Sequence, residues 1–319
     1  MIQIDVFNGD ADGICALHQF RLSEPAESLL ITDIKQQVQL VGRVFPTAPA
    51  RVNVMDVSLD ANRAAVMRLL AGGVEVWYFD HHFAGEIPEH PGFHSHIDTA
   101  SDTCTSLLMN RYLGGKQARW AVAGAFGDNM EKPALAVAGT LGLNPDELDA
   151  CREAGTLLNY NGYGNDLTDL HFHPVDLYQA VKPFDDPVQF MKQSEAAGML
   201  REKFAVDLKL ALGQTPMLDD AAGKVFMFPN ETWAQRISGV FANRIAAENP
   251  ALATAVGVER ENGSLRMSVR APLEKPEGAD ALCRRFPTGG GRKGAAAVNV
   301  LPLSQLPVFL DAFRETFAS

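Results

Sequence analysis

Along the first half of the chain, short apolar runs stop abruptly at acids or imidazoles. Val76-Trp77-Tyr78-Phe79 ends in Asp80-His81-His82, Ile2-Gln3-Ile4-Asp5-Val6-Phe7 leads at once into Asn8-Gly9-Asp10-Ala11-Asp12-Gly13, and Arg51-Val52-Asn53-Val54-Met55 is closed by Asp56. A fourth run over 118–126, apolar enough for a strand or a helix, precedes Gly127-Asp128-Asn129. Polar side chains delivered at the end of a buried element must coordinate, pair or bind something. In an open α/β sheet the carboxyl ends of the strands are where ligands bind, so the acids are expected to converge.

The connecting segments fit that architecture. Ile14-Cys15-Ala16-Leu17-His18-Gln19-Phe20 has helical apolar spacing, with His18 read as a surface or capping residue. Leu29-Leu30-Ile31 is a short strand, and Asp33 beyond it reads as a helix cap. Ser58 caps a helix over 59–71 that Gly72-Gly73 terminates, and strand, helix, strand at this spacing is a βαβ unit in a parallel sheet. The hydroxyl-rich stretch 98–106 opens another helix, as a cap or as a phosphate contact at its amino end. Residues 159–166 read as a polar, glycine-rich loop with Tyr160 and Tyr163, followed by His171 and His173.

Residues 186–212 read as one long helix, with Phe190, Met191, Ala197, Leu200, Phe204, Leu208 and Leu212 on one face. From Gly223 the alternation resumes on a smaller scale: a strand over 224–228, a helix over 233–247, a hairpin of 253–258 with 265–269, a helix over 279–286, a strand over 295–301 and a last helix over 304–317. The expected fold is α/β, an N-terminal mostly parallel sheet flanked by helices (1–185), a connecting helix (186–222) and a smaller C-terminal α/β domain (223–319), with the active site in the cleft between domains.

Composition narrows the partners. Of 319 residues, 39 are acids and 28 are Lys or Arg, a net charge of −11, so long duplex nucleic acid is not expected as a partner. Within 260–293, however, eight bases face four acids, and Gly289-Gly290-Gly291-Arg292-Lys293 would allow a polyanion close to backbone and two cations. Cys15, Cys104, Cys151 and Cys283 lack metal-finger or disulfide-framework spacing and are expected to be reduced and buried. Neither a signal peptide nor a membrane span is evident, which predicts a cytoplasmic protein with no membrane partner.

Carboxylates with one or two histidines suit Mn²⁺ best and Mg²⁺ or Co²⁺ next. So many acids in one volume repel and need cations, and more ligands than one ion requires implies two. Two ions about 3.5 to 4 Å apart, bridged by a carboxylate, acidify water and stabilise in-line displacement at phosphorus. The second histidine is free to donate to a phosphoryl oxygen, and arginines can hold the rest of the anion.

Asn8-Gly9-Asp10-Ala11-Asp12-Gly13, Asp56, Asp80-His81-His82 and Gly127-Asp128 resemble, in order, the four motifs of the DHH phosphoesterases. Ser268-Val269-Arg270 and Gly289-Gly290-Gly291-Arg292 resemble the substrate-binding signatures of the C-terminal DHH-associated domain of RecJ-type nucleases and nanoRNases, so the resemblance spans nearly the whole chain. It implies Asp10, Asp12, Asp56, His81 and Asp128 as metal ligands, with Asp56 bridging. It implies His82 at the scissile phosphate, with Asp80 orienting the histidines. Arg270, Arg292 and the backbone of Gly289, Gly290 and Gly291 would bind the remote phosphate or nucleotide.

The chain departs from the pattern in places: many members have a histidine and an acid where Ile4 and Asn8 stand, with Asp12 compensating as in the RecJ-like pattern, and a histidine where Arg292 follows the glycines. The function implied is a manganese-dependent phosphodiesterase or exonuclease-like hydrolase acting on short single-stranded oligonucleotides or small nucleotides. Polyphosphate, pyrophosphate or a cyclic dinucleotide are alternative substrates, and a nucleotide-binding regulator without turnover is the alternative outside catalysis.

Overall fold

The computed structural model of the chain describes residues 1–46 and 49–318. They form two compact units, Met1–Glu202 and Lys203–Ser319.

The first unit is built on five parallel strands in the order β2-β1-β3-β4-β5: β1 (Ile2–Phe7), β2 (Leu29–Ile31), β3 (Ala50–Met55), β4 (Glu75–Asp80) and β5 (Phe93–Ile97). Helix α1 (Ala11–Ser23) joins β1 to β2, and α2 (Leu59–Ala71), capped by Ser58, joins β3 to β4. Strand alternation sorts the two faces. Ile4, Val6, Val52, Val54, Val76 and Tyr78 pack with Val66, Leu69 and Leu70 of α2. On the other face Phe79 meets Phe20 of α1, ring centroids 6.1 Å apart, and Asp5 and Asn53 are buried beneath Arg21.

Beyond the sheet the unit is helical: α3 (Thr105–Tyr112), α4 (Ala118–Gly127), α5 (Glu131–Leu141), α6 (Pro145–Asn161), α7 (Pro174–Val181) and α8 (Pro187–Gln193). The run over 118–126, ambiguous in sequence, is therefore a helix. A Cβ on Gly155 of α6 would lie 2.0 Å from the Ala123 carbonyl, and one on Gly127 of α4 would lie 2.3 Å from Ala11 Cβ. Glycine at both positions lets α4 press against α6 and α1 at the point where Asp128 emerges.

The single long helix expected over 186–212 is broken. Ser194 is extended (φ −79°, ψ 126°), and its hydroxyl accepts from Ala197 N at 3.5 Å, starting α9 (Glu195–Leu212) afresh. Phe190, Met191, Ala197 and Leu200 are buried, whereas Leu212 is exposed. The division between the two units falls within α9.

In the second unit six strands form a mixed sheet in the order β10-β11-β9-β8-β7-β6: β6 (Leu218–Asp220), β7 (Gly223–Phe228), β8 (Ala253–Glu259), β9 (Ser264–Arg270), β10 (Gly289–Arg292) and β11 (Ala295–Pro302). Only β7 and β8 pair in parallel, and β6, within the segment read as connecting, pairs with β7. Helices α11 (Ala279–Cys283) and α12 (Leu306–Phe317) cover one face, with Phe309 and Phe313 in the core. Phe226 and Phe228 on the other face meet Phe241 of α10 (Thr232–Glu248).

Candidate metal centre

Three strand ends and one helix end meet at the carboxyl edge of the parallel sheet. Asp10 follows β1 and caps α1, its Oδ1 accepting from Gly13 N at 3.0 Å. A Cβ on Gly13 would lie 2.2 Å from the Asn8 carbonyl, so only glycine closes this loop. Asp56 follows β3 at φ 59°, a left-handed conformation costing an L-residue about 1 kcal/mol or more. Asp80 ends β4, and Asp128 caps the carboxyl end of α4.

His81 is the hub. Its Nδ1 donates to the Thr103 carbonyl at 3.0 Å, which leaves Nε2 as the lone-pair nitrogen of the neutral ring. That Nε2 lies 3.4 Å from Asp56 Oδ1, 3.8 Å from Asp128 Oδ2 and 3.9 Å from Asp12 Oδ2. Asp80 is fully buried, and its Oδ1 accepts from His81 N at 2.9 Å and from His82 Nδ1 at 2.6 Å. His82 is consequently held with its other nitrogen available, its side chain 38% exposed.

Asp12 has a second task. Its carboxylate accepts from the backbone amides of Thr105 and Ser106, each at 2.7 Å, and Thr105 Oγ1 donates to Asp56 Oδ1 at 3.1 Å. The amino end of α3, left open in sequence between a cap and a phosphate contact, is thus closed by a carboxylate from motif one, where the helix dipole favours it.

Lys35 completes the cluster and was not singled out by sequence. Its Nζ lies 2.5 Å from Asp10 Oδ2, 3.5 Å from Asp128 Oδ1 and 3.1 Å from Asn159 Oδ1, 5.5 Å from the centre of the Tyr163 ring. No motif marks a lysine four residues past a three-residue strand. The one available signal was the excess of acid, which demands some cation. Asp33 is not a helix cap: it accepts from Ile34 N and pairs with Arg43, and no helix begins there.

The charges perturb one another. Burial raises the Asp12 and Asp56 carboxyls above their ordinary values, and neighbouring carboxylates add to it. Burial does the same to Asp10, but the Lys35 ammonium more than offsets it and holds that carboxyl below its ordinary value. Burial would lower His81, yet the hydrogen bond and charge of Asp56, with Asp12 and Asp128, push it up to about 10. His82 is raised too, against burial, chiefly by its bond to Asp80.

In the second unit Arg270 ends β9, and its Nε donates to Asn243 Oδ1 at 2.6 Å. The register places Arg292 of β10 opposite Ala295 of β11, and Ala295 opposite Arg270, so both arginines lie in one row across three strands. The triple glycine lies on an edge strand. A Cβ on Gly289 would lie 1.8 Å from the Cys283 carbonyl and one on Gly291, at φ 142°, would lie 2.5 Å from Ala296 Cα, whereas Gly290 meets nothing within 4 Å. Packing alone explains two of the three.

Several other residues weighed in the sequence lie in the core. His18 is a core residue, neither surface nor cap: its Nε2 donates to the Phe184 carbonyl at 2.7 Å, its ring stands edge-on to Trp120, and burial lowers its pKa to about 4. Tyr160 lies in α6, which extends to Asn161, and is buried. All four cysteines are free and buried.

No family model and no curated protein matches the sequence. Among solved structures, a DHH-domain protein from a family of ribosomal proteins superposes with a TM-score of 0.60 at 13% identity, over 100% of this chain and 87% of that one. RecJ from Thermus thermophilus, in complex with Mn²⁺, gives 0.59 at 18% identity over 99% of this chain, which spans 52% of the RecJ chain. The pGpG-specific phosphodiesterase PggH from Vibrio cholerae gives 0.58 at 13% identity over 99% of both chains. The chain has the DHH fold.

Within that DHH fold the residues present fit a divalent cation. Asp12, His81 and Asp128 offer donor atoms within 4.8 Å of one another, as do Asp56, His81 and His82. Two buried carboxylate oxygens here, Asp80 Oδ2 and Asp128 Oδ2, have no hydrogen-bond partner among the described residues, and Asp128 Oδ2 is the one that faces His81 Nε2, 3.8 Å away. An anionic oxygen left so is costly unless a cation takes it. Among the described residues no helix is long and apolar enough to cross a membrane.

Proposed function

We propose that the chain is a divalent-metal-dependent phosphoesterase that cleaves phosphodiester or terminal phosphate bonds in short single-stranded oligonucleotides or small nucleotides. The observation that carries this reading is the convergence of Asp12, Asp56 and Asp128 on His81 Nε2, with one buried oxygen of Asp128 left without a hydrogen bond among the described residues. These residues would hold the ion, Mn²⁺ being the first to assay and Mg²⁺ or Co²⁺ next. A divalent ion there supplies positive charge to phosphoryl oxygens and acidifies water.

The protein's own groups do the rest. Asp80 fixes His82 so that its outer nitrogen can donate a proton to a phosphoryl or leaving oxygen. Asp56, on its left-handed backbone, presents Oδ1 3.4 Å from His81 Nε2. Arg270, Arg292 and the backbone of Gly289, Gly290 and Gly291 would bind the remainder of the anion, the two arginines offering flat, multiply donating contacts.

The test is a substrate panel with Mn²⁺: a generic phosphodiester, oligonucleotides of two to five residues, pGpG, 3′-phosphoadenosine 5′-phosphate, cyclic dinucleotides and polyphosphate. Turnover is expected on a short oligonucleotide or dinucleotide. Asp56→Ala and His81→Ala should each lower it by at least about a hundredfold with the circular dichroism unchanged, and His82→Ala by about 10²- to 10⁴-fold. Tight nucleotide binding with no turnover under any divalent ion would sink the enzyme in favour of a nucleotide-responsive regulator.

A further inference from the structure

The acids at the sheet edge do not all await the same partner. Asp128 Oδ2 has none, while Asp10 Oδ2 already contacts an ammonium at 2.5 Å. Lys35 is anchored there from both ends. Its backbone N–H donates to the Gly162 carbonyl at 2.8 Å, and its three ammonium protons have three oxygens to meet, on Asp10, Asn159 and Asp128. Tyr163 gives the ammonium an aromatic wall.

The residues around Asp10 also offer a second divalent ion little negative charge. Asn8, two residues before it in the same loop, is buried but neutral, and its Nδ2 turns to the Lys35 carbonyl. Ile4 is a core residue of β1. A hard divalent cation at that end would have one carboxylate, Asp10, not already shared with the His81 group, and would have to expel an ammonium from its acceptors. At the other end Asp12, Asp56, His81 and Asp128 offer one ion four protein donors.

We infer that the centre takes a single divalent ion, on Asp12, Asp56, His81 and Asp128, and that the Lys35 ammonium occupies the place beside Asp10 where a second ion would sit. Lys35 is then a built-in second cation, one that cannot be chelated away. The inference rests on the metal-centre reading above, and its test separates the two.

Mn²⁺ bound per chain is counted by equilibrium dialysis with elemental analysis, and electron paramagnetic resonance reports whether bound ions are magnetically coupled. The wild-type chain is expected to bind one ion with an uncoupled six-line signal. Lys35→Ala and Lys35→Gln should bind two, with the broadened signal of a coupled pair. Two ions in the wild type would overturn the inference while leaving the metal centre intact. One ion in both wild type and folded variants would equally overturn it, since Lys35 would then not be what excludes the second. No bound Mn²⁺ at all would overturn the metal-centre reading itself. Should neither variant fold, two ions in the wild type would still overturn the inference, and one ion with an uncoupled signal would uphold its single-ion part.

Discussion

Asp5, buried within the parallel sheet, and the acids gathered at the carboxyl edge of that sheet stand in opposite circumstances. Asp5, in the middle of β1, is complete: Arg21 donates to both its oxygens at 2.6 and 2.7 Å, Asn53 to one at 2.8 Å and Ser28 to the other at 2.6 Å. Asp10 and its neighbours at the strand ends share one lysine and a histidine among four carboxylates, and one oxygen of Asp128 goes without a hydrogen bond. A fold that can satisfy an acid five residues earlier has not failed to do so here. The difference marks Asp5 as structural and the edge cluster as a place kept for positive charge from outside.

The comparison can be broken most sharply at Asp5. Asp5→Ala would strand the Arg21 guanidinium, and we expect a loss of about 3 to 5 kcal/mol in chemical denaturation. A loss under about 1 kcal/mol would mean the mid-strand pair is no more structural than the edge cluster.

A third buried ionisable group on α1 sharpens the contrast from another side. His18 is kept neutral, with a folded pKa of about 4 against 6.5 unfolded. Between those values the unfolded chain binds the proton and the folded chain does not, so stability is full above pH 6.5 and falls as pH drops towards 4. That gap is worth on the order of 3 kcal/mol. His18→Phe should remove this part of the acid sensitivity, read as the difference between wild-type and variant unfolding free energies from about pH 7 to about pH 4.

The edge cluster should respond to ions in the reverse sense to Asp5. Mn²⁺ at a hundredfold excess over its dissociation constant is expected to add about 2.7 kcal/mol. Asp56→Ala should abolish that gain while changing the ion-free stability by less than about 1 kcal/mol, because the residue removed was repelled by its neighbours. A large ion-free loss would place Asp56 with Asp5 among the structural acids.

Much of this was legible in the chain itself, for identifiable reasons. The strands ending at Asp10, Asp56 and Asp80 are apolar runs cut off by polar residues, and a parallel sheet buried on both faces writes that pattern directly. The helix α4 was not, because a run of Ala, Val, Gly and Trp has no polar face to show its period. Glycines 289–291 read only as room for a polyanion, since nothing in the run itself reveals that the Cys283 carbonyl and the Ala296 backbone leave no room for side chains at two of them. Lys35 was invisible because its partners Asp10 and Asn159 lie 25 and 124 residues from it along the chain. The break at Ser194 was masked by apolar spacing that continues across it.

Asp12 carries a practical lesson. Because its carboxylate also fastens the start of α3, replacing it would loosen a joint as well as remove a ligand, and the two losses could not be told apart. Anyone wanting an inert but well-folded form, to trap a substrate or to serve as a control in cells, should alter Asp56 or Asp128 and leave Asp12 alone.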